Sequence, residues 1–147
     1  MLKVILGSKI HRAIVTDADV NYEGSMAIDE DFLEEAGITP NEKILVGNQT
    51  NGSRFETYAI RAPRGSRSIV LNGAVAHLGK TGDRLTIMTF VHLTPEEIKS
   101  HTPKVIVLND DNEIINRRGI LDFCGSRRQR RKVKSRSPEA AQKGVCA

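Results

Sequence analysis

Short runs of alternating apolar and polar residues, broken by glycine and asparagine, fill the first 116 positions. Period-two alternation marks a strand with one face buried. The pattern predicts strand pieces at Lys3–Leu6, Ala13–Val15, Lys43–Gly47, Phe55–Ile60, Ser68–Leu71, Arg84–His92, Val105–Leu108 and Glu113–Ile115. Asn48–Gly52 and Asn109–Asn112 read as turns, and Asn72-Gly73 as a further tight turn. Two stretches switch to helical spacing. Ile28, Phe32, Leu33 and Ala36 share one face of a helix over Asp29–Ala36, with Gly37 and Pro40 as stop signals. Thr94-Pro-Glu-Glu97 is a capping box with proline at the first helical position. It opens a short helix through Lys99 or Ser100, ended by Pro103. Many short strands with two short helices predict a mainly β domain of barrel type over residues 1–116.

Charge divides the chain at that boundary. Residues 117–147 hold 10 of the 22 Lys and Arg and 2 of the 18 Asp and Glu. The domain is therefore about −4 and the tail about +8, which sums to the net +4 of the whole chain. The tail has no apolar period, so disorder is expected there.

Composition removes several kinds of chemistry. Tryptophan is absent and aromatics make up 4% of residues, which argues against a stacking platform for nucleic acid. Both cysteines, Cys124 and Cys146, fall in the tail, leaving the domain without a disulfide or a thiolate metal site, as suits a reducing cytoplasm. His11, His77, His92 and His101 lack the spacing of metal ligands, so no metal is expected. The apolar part of Met-Leu-Lys-Val-Ile-Leu is short for a signal peptide, and no run has the length of a membrane span. No glycine-rich loop of the phosphate-binding pattern is present, so pyridoxal phosphate is not expected.

The most informative tetrapeptide is Glu23-Gly24-Ser25-Met26. A serine hydroxyl next to a glycyl carbonyl can attack its own backbone, and glycine tolerates the strained geometry this needs. Attack turns the amide into an ester. Elimination then breaks the chain and leaves a dehydroalanine, which hydrolyses to a pyruvoyl group. Gly-Ser is also ordinary turn chemistry, and Gly7-Ser8 and Gly65-Ser66 are two further pairs.

Context decides between these readings. Lys9-Ile-His-Arg12, Tyr22-Glu-Gly-Ser25, Asn51-Gly-Ser-Arg-Phe-Glu-Thr-Tyr58, Arg64-Gly-Ser-Arg67 and Leu71-Asn-Gly-Ala-Val-Ala-His77 stand in the order and spacing of a known family. Over about its first three quarters the chain resembles the pyruvoyl-dependent aspartate 1-decarboxylases. The resemblance implies a double-psi β-barrel, a homotetramer, and cytoplasmic conversion of L-aspartate to β-alanine and carbon dioxide for pantothenate synthesis. It implies cleavage between Gly24 and Ser25, spontaneous or aided by an accessory maturation protein. The pyruvoyl ketone would form a Schiff base with the substrate and act as its electron sink.

The same resemblance assigns roles. Thr57 is expected to hydrogen-bond near the Gly24 carbonyl, as an oxyanion donor would, and Tyr58 to return a proton after carbon dioxide leaves. Tyr22 would line the pocket. Lys9 would help hold the substrate and His11 would line the site, while the backbone of Gly73, Ala74 and Val75 would complete it. From its own chemistry Arg54 can grip one of the two carboxylates, and Asn72 is either a charge stabiliser for the pyruvoyl or ester oxygen or simply the first residue of the Asn72-Gly73 turn. Met26 departs from the cysteine that many relatives carry after the serine. Two other readings compete: an uncleaved barrel acting as a scaffold, and unspecific nucleic-acid binding through the basic tail.

Overall fold

Nine strands, two α-helices and one 3-10 helix make up residues 1–119, the part of the chain that this computed structural model describes. The strands are β1 (Lys3–Ile14), β2 (Asp17–Asp19), β3 (Ser25–Asp29), β4 (Lys43–Asn48), β5 (Arg54–Ala62), β6 (Ile69–Asn72), β7 (Arg84–Leu93), β8 (Lys104–Leu108) and β9 (Ile114–Arg118). Helix α1 (Glu30–Ala36) follows β3, the 3-10 helix (Gly73–Leu78) follows β6, and α2 (Pro95–Ser100) follows β7. The described protein is mainly β, as the alternation predicts.

Hydrogen bonds order the strands β2-β6-β3-β5-β4-β7-β1-β8-β9. The pairs β1–β8, β2–β6 and β3–β5 are parallel; the others are antiparallel. One apolar core collects residues from nearly every strand. Ile10, Met26, Ile28, Ile44, Ile69, Leu71, Leu85, Ile87, Ile106 and Leu108 are all fully buried in it. Helix α1 adds Phe32, Leu33 and Ala36.

The two ends of this order are tied together. Thr16, just past β1, donates its N–H to the Ile69 carbonyl of β6, and its hydroxyl accepts from the Ile69 N–H at 3.0 Å. Asn112, in the β8–β9 turn, is 3% exposed. Its side chain accepts from the Ile14 N–H at 2.8 Å and donates to the Ile14 carbonyl at 2.9 Å and to the Arg67 carbonyl at 3.1 Å. One buried amide thus joins β1, the approach to β6 and the β8–β9 turn.

The helix signals appear as read. Asp29 caps α1 by accepting from the Asp31 N–H, and Gly37 ends it in the left-handed conformation. Thr94 and Glu97 form the reciprocal capping box of α2, with Pro95 in its first turn. Four other expectations need correction. Lys3–Leu6 and Ala13–Val15 are not separate strands: Lys3–Leu6, Ala13 and Ile14 all belong to the twelve-residue β1, which pairs with β7 through two bulges, and Val15 lies just past its end. The strands β2 and β3 are additional; three and five residues give too short a period to read. Asn72-Gly73 is not a hairpin turn, because Gly73 opens the 3-10 helix. The β domain does not stop at 116: Arg117 and Arg118 lie in β9, opposite Ile106 and Val105, and Arg117 pairs with Glu35 at 2.9 Å. From residue 120 on, the predicted tail lies outside the described residues.

Asn112→Ala removes three buried hydrogen bonds and leaves their backbone partners without replacements. It is expected to lower unfolding free energy by about 2–4 kcal/mol in denaturant titrations. Loss of under about 0.5 kcal/mol would mean that the closing bonds are dispensable.

Candidate active site

Ser25 is the first residue of β3, held between β6 and β5. Directly after it, Met26 pairs with Leu71 on one side and Ala59 on the other, and all three are fully buried. The chain cannot relax here without disturbing the core. Ser25 has φ of 151°, a value that residues with a Cβ avoid. Such a conformation costs on the order of 1–3 kcal/mol and persists only where packing imposes it. Ser25 is 2% exposed. It is preceded by an exposed run from Asp19 to Gly24.

Gly73 supplies the packing on the other side of the bond. Its φ is +67°, and a Cβ placed on it would stand 2.8 Å from Gly24 Cα, 3.0 Å from Gly24 N and 3.2 Å from the Tyr22 carbonyl oxygen. Only glycine meets both conditions. Asn72, 4% exposed, lies directly across from Ser25 in the β3–β6 pair, so the two side chains share a face. Ala74 is exposed and Val75 buried in the 3-10 helix that follows.

The Gly24 carbonyl accepts a hydrogen bond of 2.6 Å from the Tyr58 hydroxyl. The resemblance puts Thr57 at this carbonyl. Here the contact is made by its neighbour, because successive strand residues point to opposite sides. Arg54, Glu56 and Tyr58 form the exposed side of β5, while Phe55 and Ala59 face the core and Thr57 is half-buried with them. Among the described residues no side-chain hydrogen bond engages Thr57.

The cationic residues stand elsewhere. Lys9 and Arg54 line a cleft of about 440 Å³ with Gly47, Asn48, Gln49, Thr86 and Met88. Arg54 is four residues from Tyr58 along β5, a rise of about 13 Å. His11 sits two residues after Lys9 on β1, opposite Thr86 of β7. Its pKa is lowered, first by burial and then by the positive charges of Lys9, Arg12, Arg118 and Arg84. The bulge at Arg12, whose φ is +67°, explains how this cation joins the group. Strict alternation would send Arg12 inward with Ile10; the extra residue turns it outward beside His11. The sequence signal for Arg12 was its place in Lys9-Ile-His-Arg12; for Gln49 and Thr86 there was none.

One chain therefore presents two half-sites. Gly24, Ser25, Tyr22, Tyr58, Asn72 and Gly73 form the first, and Lys9, His11 and Arg54 the second. A third cleft of about 510 Å³, beside α1, is lined by Asp31, Glu34, Glu35, Lys104, Ile114 and Arg117. Its carboxylates are already engaged: Arg64 bonds Asp31 and Glu34, and Arg117 bonds Glu35. Among the described residues no group of three or more His, Cys, Asp or Glu is arranged to hold a metal ion, and no helix is long and apolar enough to cross a membrane.

Residues 1–115 match the profile of the family described as aspartate decarboxylase. The chain belongs to that family. Proteins named aspartate 1-decarboxylase from Staphylococcus aureus strains JH9, Newman and COL are 52% identical to it over 115 residues, covering 78% of this chain and 91% of each relative. The matched region ends inside β9. The aspartate decarboxylases are carboxy-lyases, and the family region here contains both half-sites. A group built from Ser25 itself fits the first of them: the site is already filled by the strained peptide, with a hydroxyl donor on its carbonyl and no room for a Cβ at Gly73.

Gly73→Ala is expected to force Gly24 and Tyr22 away from their present positions, at a cost of at least about 1–3 kcal/mol. Any cleavage of the chain at Gly24–Ser25, followed by denaturing mass spectrometry, should slow by tens-fold or stop relative to the parent protein while circular dichroism stays β-rich. Normal cleavage in this variant would show that the Gly73–Gly24 contact does not position the bond.

Proposed function

We propose that this chain makes β-alanine and carbon dioxide from L-aspartate, as a homotetramer in the cytoplasm, for pantothenate synthesis. It does so after cutting itself between Gly24 and Ser25 and converting Ser25 to a pyruvoyl group. The observation that carries the reading is the Gly24–Ser25 peptide, strained at Ser25 and hydrogen-bonded at its carbonyl by Tyr58.

In the first step the Ser25 hydroxyl oxygen bonds to the Gly24 carbonyl carbon. Negative charge gathers on the carbonyl oxygen, where the Tyr58 hydroxyl already donates. The C–N bond breaks, the nitrogen takes the proton, and Gly24 is left as an ester of Ser25. Release of the φ strain at Ser25 favours this direction. Loss of the Cα proton and of the Cβ–O bond frees the Gly24 carboxylate and leaves a dehydroalanine. Water then replaces its nitrogen, which departs as ammonia.

The pyruvoyl group would supply an electron sink for the carbanion left by carbon dioxide. Tyr58, whose phenol lies against the bond that is cut, is placed to return a proton to that carbon afterwards. Asn72 stands across the sheet from position 25 and offers an amide to a developing oxyanion. Lys9, Arg54 and His11 supply the donors for the substrate carboxylates. Arg54 lies about 13 Å along β5 from Tyr58, too far for a molecule as small as aspartate to span from it to position 25 of the same chain. The tetramer solves this if a neighbouring copy presents its Lys9–Arg54 cleft to Ser25. Exposed Val20, Tyr22 and Tyr58, at 48%, 55% and 42%, fit a surface covered by such a neighbour.

Two experiments follow. Ser25→Ala should give one unbroken, inactive chain, and Arg54→Ala a cleaved chain with little turnover. Mixed assemblies of the two should regain activity, up to roughly a quarter of the sites by random mixing. No recovery in verified mixed assemblies would place the whole site within one chain. Tyr58→Phe should slow cleavage by about ten- to a hundred-fold and also depress β-alanine release from the cleaved fraction. Cleavage at the normal rate would remove Tyr58 from the first step.

A further inference from the structure

We infer that Thr86 and Gln49 set the tautomer of His11, so that its Nε2 carries the proton and donates into the cleft that receives the anionic substrate. The identity of that anion rests on the function proposed above; the tautomer rests on the hydrogen bonds alone.

Thr86 is 8% exposed and pairs with His11 across β1 and β7. Its hydroxyl oxygen accepts from Gln49 Nε2 at 3.1 Å and lies 3.4 Å from His11 Nδ1. A threonine hydroxyl has one proton to give. With the Gln49 amide oriented so that its Nε2 donates, His11 Nδ1 is the acceptor available to that proton among the described residues, and a buried hydroxyl proton without an acceptor is costly. Nδ1 is therefore the acceptor in this chain of bonds. Burial and four surrounding cations, Lys9, Arg12, Arg84 and Arg118, disfavour a second proton on the ring. A neutral ring that accepts at Nδ1 must carry its hydrogen at Nε2.

Nε2 has no hydrogen-bond partner among the described residues. Thr86 and Gln49 both line the cleft that holds Lys9 and Arg54, which puts the imidazole at its margin. A carboxylate bound there would meet two charged donors and a neutral third. The reversed tautomer would present a lone pair to that carboxylate and repel it. Thr86 and Gln49 thus act as positioning residues, through the ring they orient.

The test is long-range ¹H–¹⁵N correlation NMR on the full-length, ¹⁵N-histidine-labelled protein near neutral pH, with His11 assigned from His11→Gln. The expected spectrum has an unprotonated Nδ1 and a protonated Nε2 for His11. Thr86→Val keeps the shape and deletes the donor, so the two tautomers should mix; Thr86→Ser should restore the single form. Gln49→Ala, at an exposed position, should move the spectrum in the same direction as Thr86→Val. For L-aspartate, Thr86→Val should raise KM about three- to ten-fold with kcat within about two-fold, the loss of one modest hydrogen bond. A protonated Nδ1 in the parent protein, or an unchanged His11 spectrum in Thr86→Val, overturns the inference. Absence of β-alanine formation by the parent protein would instead overturn the decarboxylase reading, and with it the choice of aspartate as the anion, while the tautomer is still read directly.

Discussion

Everything distinctive about this molecule depends on one peptide that is not allowed to relax. Ser25 has a φ that its own Cβ disfavours, and the next residue is locked in the core between two strands. Gly73 presses on Gly24 from one side, and Tyr58 holds its carbonyl from another. Free energy stored this way is small beside the stability of a β domain, yet it falls on a single bond. The fold is the clamp: without the buried Met26 and Ile28 the strain would dissipate into the loop from Asp19 to Gly24.

A second division follows from strand geometry. Tyr58 stands at the middle of β5, beside the start of β3 where Ser25 lies, and Arg54 opens β5 four residues earlier. The first group is poor in charge, which suits a reaction that begins by attack on a neutral amide. The second is strongly cationic, and the bulge at Arg12 intensifies it. Cations placed directly beside Gly24–Ser25 would serve substrate binding but would also pull water and counter-anions to the bond before it is cut. The single chain keeps them apart, and the proposed assembly would reconcile the two needs by joining them.

The sequence was legible where a local signal has a local cause. The caps of α1 and α2 are satisfied within a few residues, so Asp29, Gly37 and the Thr94–Glu97 box read directly. The strand pairs of β4 with β5 and of β8 with β9 likewise follow from alternation around polar turns. Long-range causes were not legible. Nothing local says that Gly73 must avoid Gly24, and the same residue pair Asn72-Gly73 is an equally good hairpin signal. The continuity of β1 was hidden by Gly7 and Arg12, since a bulge breaks the very period on which strand reading relies. Thr57 and Tyr58 are adjacent, so sequence could not say which hydroxyl meets Gly24; the alternation of β5 gives it to Tyr58. Thr86 and Gln49 were silent because each acts through His11.

The central claim is that the protein cuts its own chain at Gly24–Ser25 and keeps a ketone at position 25. Mass spectrometry of the purified protein under denaturing conditions, before and after borohydride treatment, tests it most directly. The account predicts two chains, 1–24 and 25–147, the second blocked to amino-terminal sequencing and gaining about two mass units on reduction of its ketone. A single unbroken chain of 147 residues, or a second fragment that begins with an ordinary serine, would contradict it.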